Sequence, residues 1–157
     1  MSIVIKSIAL AIVAGCLATE AQAQFRTWIV DDSPEWPVRA FDQSTLTIND
    51  GVASVLVFAG WNAPVRRSEG TYDFVLNQSE IDCRGKRLRH LEGVGFRYGA
   101  NTPSYHQTEA EGWQTMDPAS RWANFMSLIC NSTPGYSNPY GQSTVEVIRL
   151  AEGRLSR

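Results

Sequence analysis

The stretch from Glu80 to Asn131 constrains this chain more than any other, because two cysteines, Cys83 and Cys130, sit at the ends of two dissimilar patterns. Around Cys130 the pattern is helical. Trp122, Phe125, Met126, Ile129 and Cys130 recur three and four residues apart, the spacing of one buried helix face. Ahead of them, Asp117 is the expected cap for the orphan amides of the first turn, and Pro118 suits the first helical position. Asn131-Ser132-Thr133-Pro134 ends the helix. Cys130 therefore points the same way as the apolar face. If Cys83, in Glu80-Ile81-Asp82-Cys83, takes an inward position on a strand, one disulfide clamps the helix onto a sheet.

Such a bond needs an oxidising compartment. Lys6 gives a short positive start, Ser7 to Leu17 is apolar or small, and Ala21-Gln22-Ala23 fits a small-residue cleavage site. Residues 1–23 read as a secretory signal peptide, too short in its apolar part to span a bilayer permanently. Within it, Val13-Ala14-Gly15-Cys16 resembles a bacterial lipobox, so lipidation of Cys16, giving an outer-membrane lipoprotein, is the alternative to cleavage after Ala23. On either reading Cys16 leaves the count and an even pair remains.

About 134 residues then remain, enough for one domain with one core. A hydrophobic fraction of 43% with 16 aromatic residues excludes a disordered chain. The formal charge of −2 gives no support for nucleic-acid binding. No repeat or heptad pattern occurs, and no later segment has the length and apolarity of a membrane span.

Taken in order, Phe25 to Val30 reads as a strand, and Asp31 to Pro37 breaks it with two prolines and an acidic cluster. Arg39 to Asp42 is a short second strand, Gln43-Ser44 a turn, and Thr45 to Asn49 leads into Asp50-Gly51, a strong hairpin signal. Val52 to Phe58 is apolar enough for a central strand. Gly60 to Glu69 reads as a loop carrying Trp61, Pro64, Arg66 and Arg67. Thr71 to Cys83 is the next strand, with a bend at Asn77-Gln78, and Arg84-Gly85-Lys86 a tight basic turn into Arg87 to Phe96. Leu88 and Leu91 share a face there only through a bulge, expected near Gly93 or Gly95. Tyr98 to Gly112 is a polar loop, and Trp113 to Met116 feeds the helix.

The expected fold is α+β over residues 24–133: an antiparallel sheet of about five to six strands, with one C-terminal helix packed on it and tied by the Cys83–Cys130 disulfide. Residues 134–157 form a C-terminal extension. Pro134 to Gly141 reads as a linker. Ser143-Thr144-Val145-Glu146 has capping-box spacing ahead of Val147, Ile148, Leu150 and Ala151, which favours a short final helix over a strand or a disordered tail.

Several of these features recur together in one known group. A strand, Phe41-Asp42-x-Ser44 and a short turn, Asp50-Gly51 and an apolar strand come first. Glu80-x-Asp82-Cys83, basic residues leading into the next strand, a tryptophan before Pro118-Ala119-Ser120, and Cys130 follow. In this order they resemble the surface-adhesin protein E-like family of bacterial exported proteins, over about residues 25 to 131. The resemblance implies an exported, non-enzymatic protein at the cell surface that binds an extracellular matrix or serum protein, or an acidic glycan. A periplasmic envelope accessory protein without a host ligand is the alternative. The chain departs from the family pattern at Ser33 to Pro37, Tyr98 to Gly112 and the C-terminal extension.

The residues themselves offer little chemistry. His90 and His106 have no second ligand at metal spacing and read as solvated side chains, so no metal and no cofactor is expected. Ser104-Tyr105-His106 is not a nucleophile elbow. Asp31-Asp32 and Glu109/Glu111 fall in polar loops as solvated charge. The candidate binding residues are Arg84, Lys86, Arg87 and Arg89, with Arg97 further along: four cations within six residues of a turn attract acidic glycans or protein segments. Two competing readings stand beside this one. The charges protect strand edges, or Glu80 and Asp82, instead of facing outward, pair with Arg87 or Arg89 across the hairpin. Trp36, Trp61 and Tyr105 read either as a protein-binding patch or as plugs folded back on the core.

Overall fold

A computed structural model describes residues 28–31, 37–134 and 143–153. The signal peptide, Cys16, Trp36 and most of the 134–141 linker lie outside these residues. Seven strands follow one another along the chain: β1 (Trp28–Val30), β2 (Val38–Asn49), β3 (Val52–Arg67), β4 (Gly70–Asp82), β5 (Arg87–Phe96), β6 (Tyr105–Gln107) and β7 (Gln114–Thr115). Two helices come last, α1 (Arg121–Cys130) and α2 (Thr144–Ala151). All strand pairs are antiparallel, in the order β1-β2-β3-β4-β5-β6, with β7 also pairing with β5. The expected antiparallel sheet with a disulfide-tied helix is present, with more strands than five to six. The short final helix favoured for the C-terminal extension forms as α2 and packs on the sheet as well.

Both faces of the sheet are covered, which explains why Val52 to Phe58 does not alternate between apolar and polar residues. Ala53, Val55 and Val57 point to one face, where they join Phe41, Leu46, Ile81 and Leu88 beneath Phe125, Met126 and Ile129 of α1. Leu56 and Phe58 point to the other, with Trp28, Val38, Ala40, Phe74, Leu76, Val94 and Phe96 beneath Val147, Leu150 and Ala151 of α2. Neighbouring residues of a strand face opposite sides, so a strand buried on both reads as a continuous apolar run. At Gly60 a Cβ would stand only 2.6 Å from the Ala151 Cβ, so α2 rests close against the β3 backbone there.

Local chemistry sets the turns and caps. Asp50 and Gly51 both take positive φ, 50° and 81°, as the β2–β3 hairpin requires. Ser143 and Glu146 form the expected capping box: the Ser143 Oγ accepts from the Glu146 amide at 3.3 Å, and the Ser143 amide donates to Glu146 Oε2 at 2.7 Å. The Trp28 indole N–H donates to Thr144 Oγ1 at 2.9 Å, tying α2 to the first strand. Cys83 and Cys130 are bonded, with a Cα–Cα distance of 5.8 Å. Cys83 lies in the turn just after β4 rather than within the strand.

Five local expectations change. The turn at Gln43-Ser44 is an irregularity inside the single strand β2, with the register shifting between Asp42 and Thr47. Side chains replace the ladder there: Asp42 Oδ1 accepts from the Ser44 amide at 3.0 Å, and Thr45 Oγ1 accepts from the Leu56 amide at 2.9 Å. The segment expected as a loop, Gly60 to Glu69, is the end of β3 through Arg67 and a turn at Ser68-Glu69, with a register shift between Gly60 and Val65 that holds Pro64 where the ladder is interrupted. The β5 bulge is at Leu91, since Ser79 pairs with His90 and Gln78 with Glu92, and not near Gly93 or Gly95. The segments Tyr98 to Gly112 and Trp113 to Met116 contain the short edge strands β6 and β7. Finally, Ser120 caps α1, accepting from the Ala123 amide at 3.2 Å. Asp117 closes the preceding turn instead, accepting from the Ala119 amide at 2.9 Å. Two cap-type residues stand three apart, and each satisfies a different amide.

Candidate functional site

The basic hairpin forms at one end of the sheet, beside the Asp50-Gly51 turn; the Cys83 amide donates to the Gly51 carbonyl at 2.9 Å. Asp82 organises it. Its Oδ1 accepts from the Gly85 amide at 2.7 Å, and its Oδ2 accepts from Arg87 at 2.6 and 3.1 Å. The Gly85 amide first, then the Arg87 guanidinium, hold the Asp82 carboxyl below its ordinary pKa. Two residue pairs further along the ladder, Arg89 Nε donates to Glu80 Oε2 at 2.7 Å. Both guanidinium groups also lie over the Trp113 ring, Arg89 at 4.5 Å and Arg87 at 5.4 Å from its centroid.

The four expected binding cations therefore divide into two kinds. Arg87 and Arg89 are neutralised across the hairpin and stacked, the pairing alternative for Glu80 and Asp82. Arg84 and Lys86 are exposed at the tip and have no ion pair among the described residues. Lys86 takes a positive φ of 52°, which turns the chain back into β5. Arg97, further along, donates to the buried Asp73 at 2.8 Å.

Between this turn and α1 runs a groove of about 420 Å³. The Cys83–Cys130 disulfide, Met116 and Met126 line its apolar part; Asn124, Ser127 and Asn131 line the side made by α1. Among the described residues, Lys86 is the only ionisable side chain in the lining. Its carbonyl accepts from the Met116 amide at 3.1 Å, which ties the turn to the segment leading into α1. Sequence reasoning missed this groove. The spacing of Asn124, Ser127 and Asn131 marks the solvent side of a helix, but nothing local says that a basic turn lies beside it.

The other candidates resolve individually. His90 is half-buried rather than solvated: its Nδ1 lies 2.8 Å from Ser79 Oγ and its ring meets Trp122 edge-on at 6.4 Å. Burial lowers its pKa, with the Glu111 charge opposing. Ser79 is fully buried in the sheet, so this serine–histidine pair has no route to a substrate. His106 is exposed on β6. Ser104 donates its hydroxyl to the Thr71 carbonyl at 2.7 Å, the bond of a loop anchor. Among the described residues no three His, Cys, Asp or Glu side chains gather as a metal site would need. Trp61 packs on Tyr72 at 5.7 Å and Tyr72 on Tyr105 at 5.0 Å, which makes Trp61 and Tyr105 half-buried plugs rather than a free patch. No helix of the described residues is long and apolar enough to cross a membrane.

Comparison with known proteins adds one finding. The family model for surface-adhesin protein E matches residues 37–131, from the start of β2 through α1. No curated protein and no solved structure matches the chain.

Proposed function

We propose, from the premise that this chain belongs to the surface-adhesin protein E family, that it is an exported, non-enzymatic protein that binds an extracellular protein or glycan at the cell surface. The observation that carries this reading is the exposed pair Arg84 and Lys86 at the tip of a hairpin held by a disulfide. Two cations without an ion pair among the described residues, on a turn fixed by the Asp82 hydrogen bonds, are presented to a partner with little conformational freedom left to lose. Arg87 and Arg89 support that turn from beneath.

Protease shaving of intact cells, with mass spectrometry of the released peptides, tests the location. Cleavage at Arg84 or Lys86 is the expected result. Protection until the outer membrane is broken would establish the periplasmic alternative and sink the surface role. Binding is tested separately, by titrating immobilised extracellular matrix and serum proteins with the purified chain. Binding falls as salt is raised from low to physiological strength, and the double variant Arg84→Glu/Lys86→Glu weakens it about tenfold or more. Salt-independent binding unaffected by that variant would remove the turn from the interface.

A further inference from the structure

We propose that the groove between α1 and the basic turn is the docking site for a short acidic peptide segment of a partner protein, with an apolar side chain on the methionines and a carboxylate on Lys86. This deepens the surface-binding reading above, and rests on it, by naming the class of ligand. The floor is made of Met116, Met126 and the Cys83–Cys130 disulfide, a polarisable surface that adapts to side chains of differing shape. Along one bank, Asn124 and Ser127 of α1 and its C-cap Asn131 recur three and four apart on one side. Their amide and hydroxyl groups both donate and accept, which suits the alternating N–H and C=O of an extended backbone.

The charge of the groove is one-sided. Among the described residues, Lys86 is its only ionisable lining residue and no carboxylate lines the groove, while Arg84 stands beside Lys86 on the same turn. An acidic segment is drawn to such a site and a basic one repelled. Two observations favour a peptide over a sulfated glycan. The four-cation cluster that a polyanion needs is halved, because Asp82 and Glu80 already hold Arg87 and Arg89. Among the described residues no aromatic ring lines the groove for a sugar to stack on, and Trp113 is covered by those same arginines.

Fluorescence anisotropy on the oxidised full chain tests this, with three labelled probes: a short peptide of leucines among glutamates, its counterpart with lysines in place of glutamates, and a heparin oligosaccharide. Only the acidic peptide is expected to saturate. Lys86→Glu weakens it about tenfold, as reversal of one charge at a partly desolvated site does. Ser127→Trp, placed at an exposed position of α1 that faces the groove, abolishes binding while the thermal melt stays unchanged. Failure of the acidic peptide to bind, equal binding of the lysine peptide, or tighter binding of heparin overturns the proposal. So does dimerisation of the chain that Ser127→Trp removes, since the occupant is then a second copy. Loss with Lys86→Glu but retention in Ser127→Trp overturns the groove and leaves the turn as the binding element. Protection of the chain in the protease shaving of intact cells overturns the earlier reading instead.

Discussion

His90 shows how one residue's surroundings reach the stability of the whole chain. Its ring is held between Ser79 Oγ and the edge of Trp122, and burial puts its folded pKa below the unfolded value of about 6.5. As pH falls below that value the unfolded chain takes up the proton first, so unfolding gains. The stability from burying the neutral ring is thus present above about pH 6.5 and lost as pH falls toward the folded pKa. Glu111 opposes the shift from the loop, while Trp122 and Ser79 bring no charge. Thermal melts between pH 7.5 and pH 5.5 are expected to show a falling midpoint that flattens in His90→Gln. A midpoint equally pH-dependent in that variant would place the titration elsewhere. Asp82, Glu69 and Glu146 do not confuse this window. Their pKa values are lowered, so what they contribute is lost only at more acid pH, below the ordinary carboxylate values of about 4. At this scale the sequence was legible in type but not in partner. Asp117 and Ser120 both look like caps, and only packing decides which one starts α1.

At the scale of elements, the bond between Cys83 and Cys130 closes a segment of 47 residues and joins the β4–β5 turn to the last residue of α1. Constraining the unfolded chain over that length contributes about 4 kcal/mol in the chain-entropy model. Cys130→Ser is therefore expected to lower the melting temperature by roughly 10 °C or more under non-reducing conditions. An unchanged midpoint would mean that α1 docks through its apolar face alone. The helix was legible because Phe125, Met126 and Ile129 carry the periodicity of a buried face, and all three are buried. The Asp50-Gly51 hairpin was legible because both positions demand positive φ. The irregularities at Gln43-Ser44 and at Trp61 to Pro64 were not, and the bulge of β5 was legible as a need but not in its place at Leu91. An extra residue in a strand is stabilised by what lies across the ladder, and that partner is distant in sequence.

Across the described residues, one sheet separates the two larger cores, each closed by one helix, and a smaller cluster around Ala59, Tyr72 and Val75 is closed by Trp61 and Tyr105. The tail that reads as an extension is part of this arrangement: Val147, Leu150 and Ala151 of α2 are buried against Trp28, Ala40 and Phe58. A chain ending at Thr133 uncovers that face, and losing the burial of Val147 and Leu150 alone costs about 3–6 kcal/mol. Urea denaturation is expected to show a lower midpoint, together with binding of a hydrophobic dye to the native chain. An unchanged midpoint without dye binding would mean that the sheet face closes on itself.

The sequence by itself determined the antiparallel sheet with a disulfide-tied helix, the hairpin turns, the capping box of α2 and the family resemblance. Each of these is written in a few adjacent residues, as periodicity, φ preference or a side chain's reach to a nearby amide. Only the tertiary structure decided which carboxylates hold Arg87 and Arg89, which cations remain exposed, and that Lys86 borders a groove floored by two methionines. Those outcomes depend on strand register and on where α1 comes to rest, and both are set by contacts between residues far apart in the chain. Charge is countable in a sequence; its neutralisation is a property of the fold.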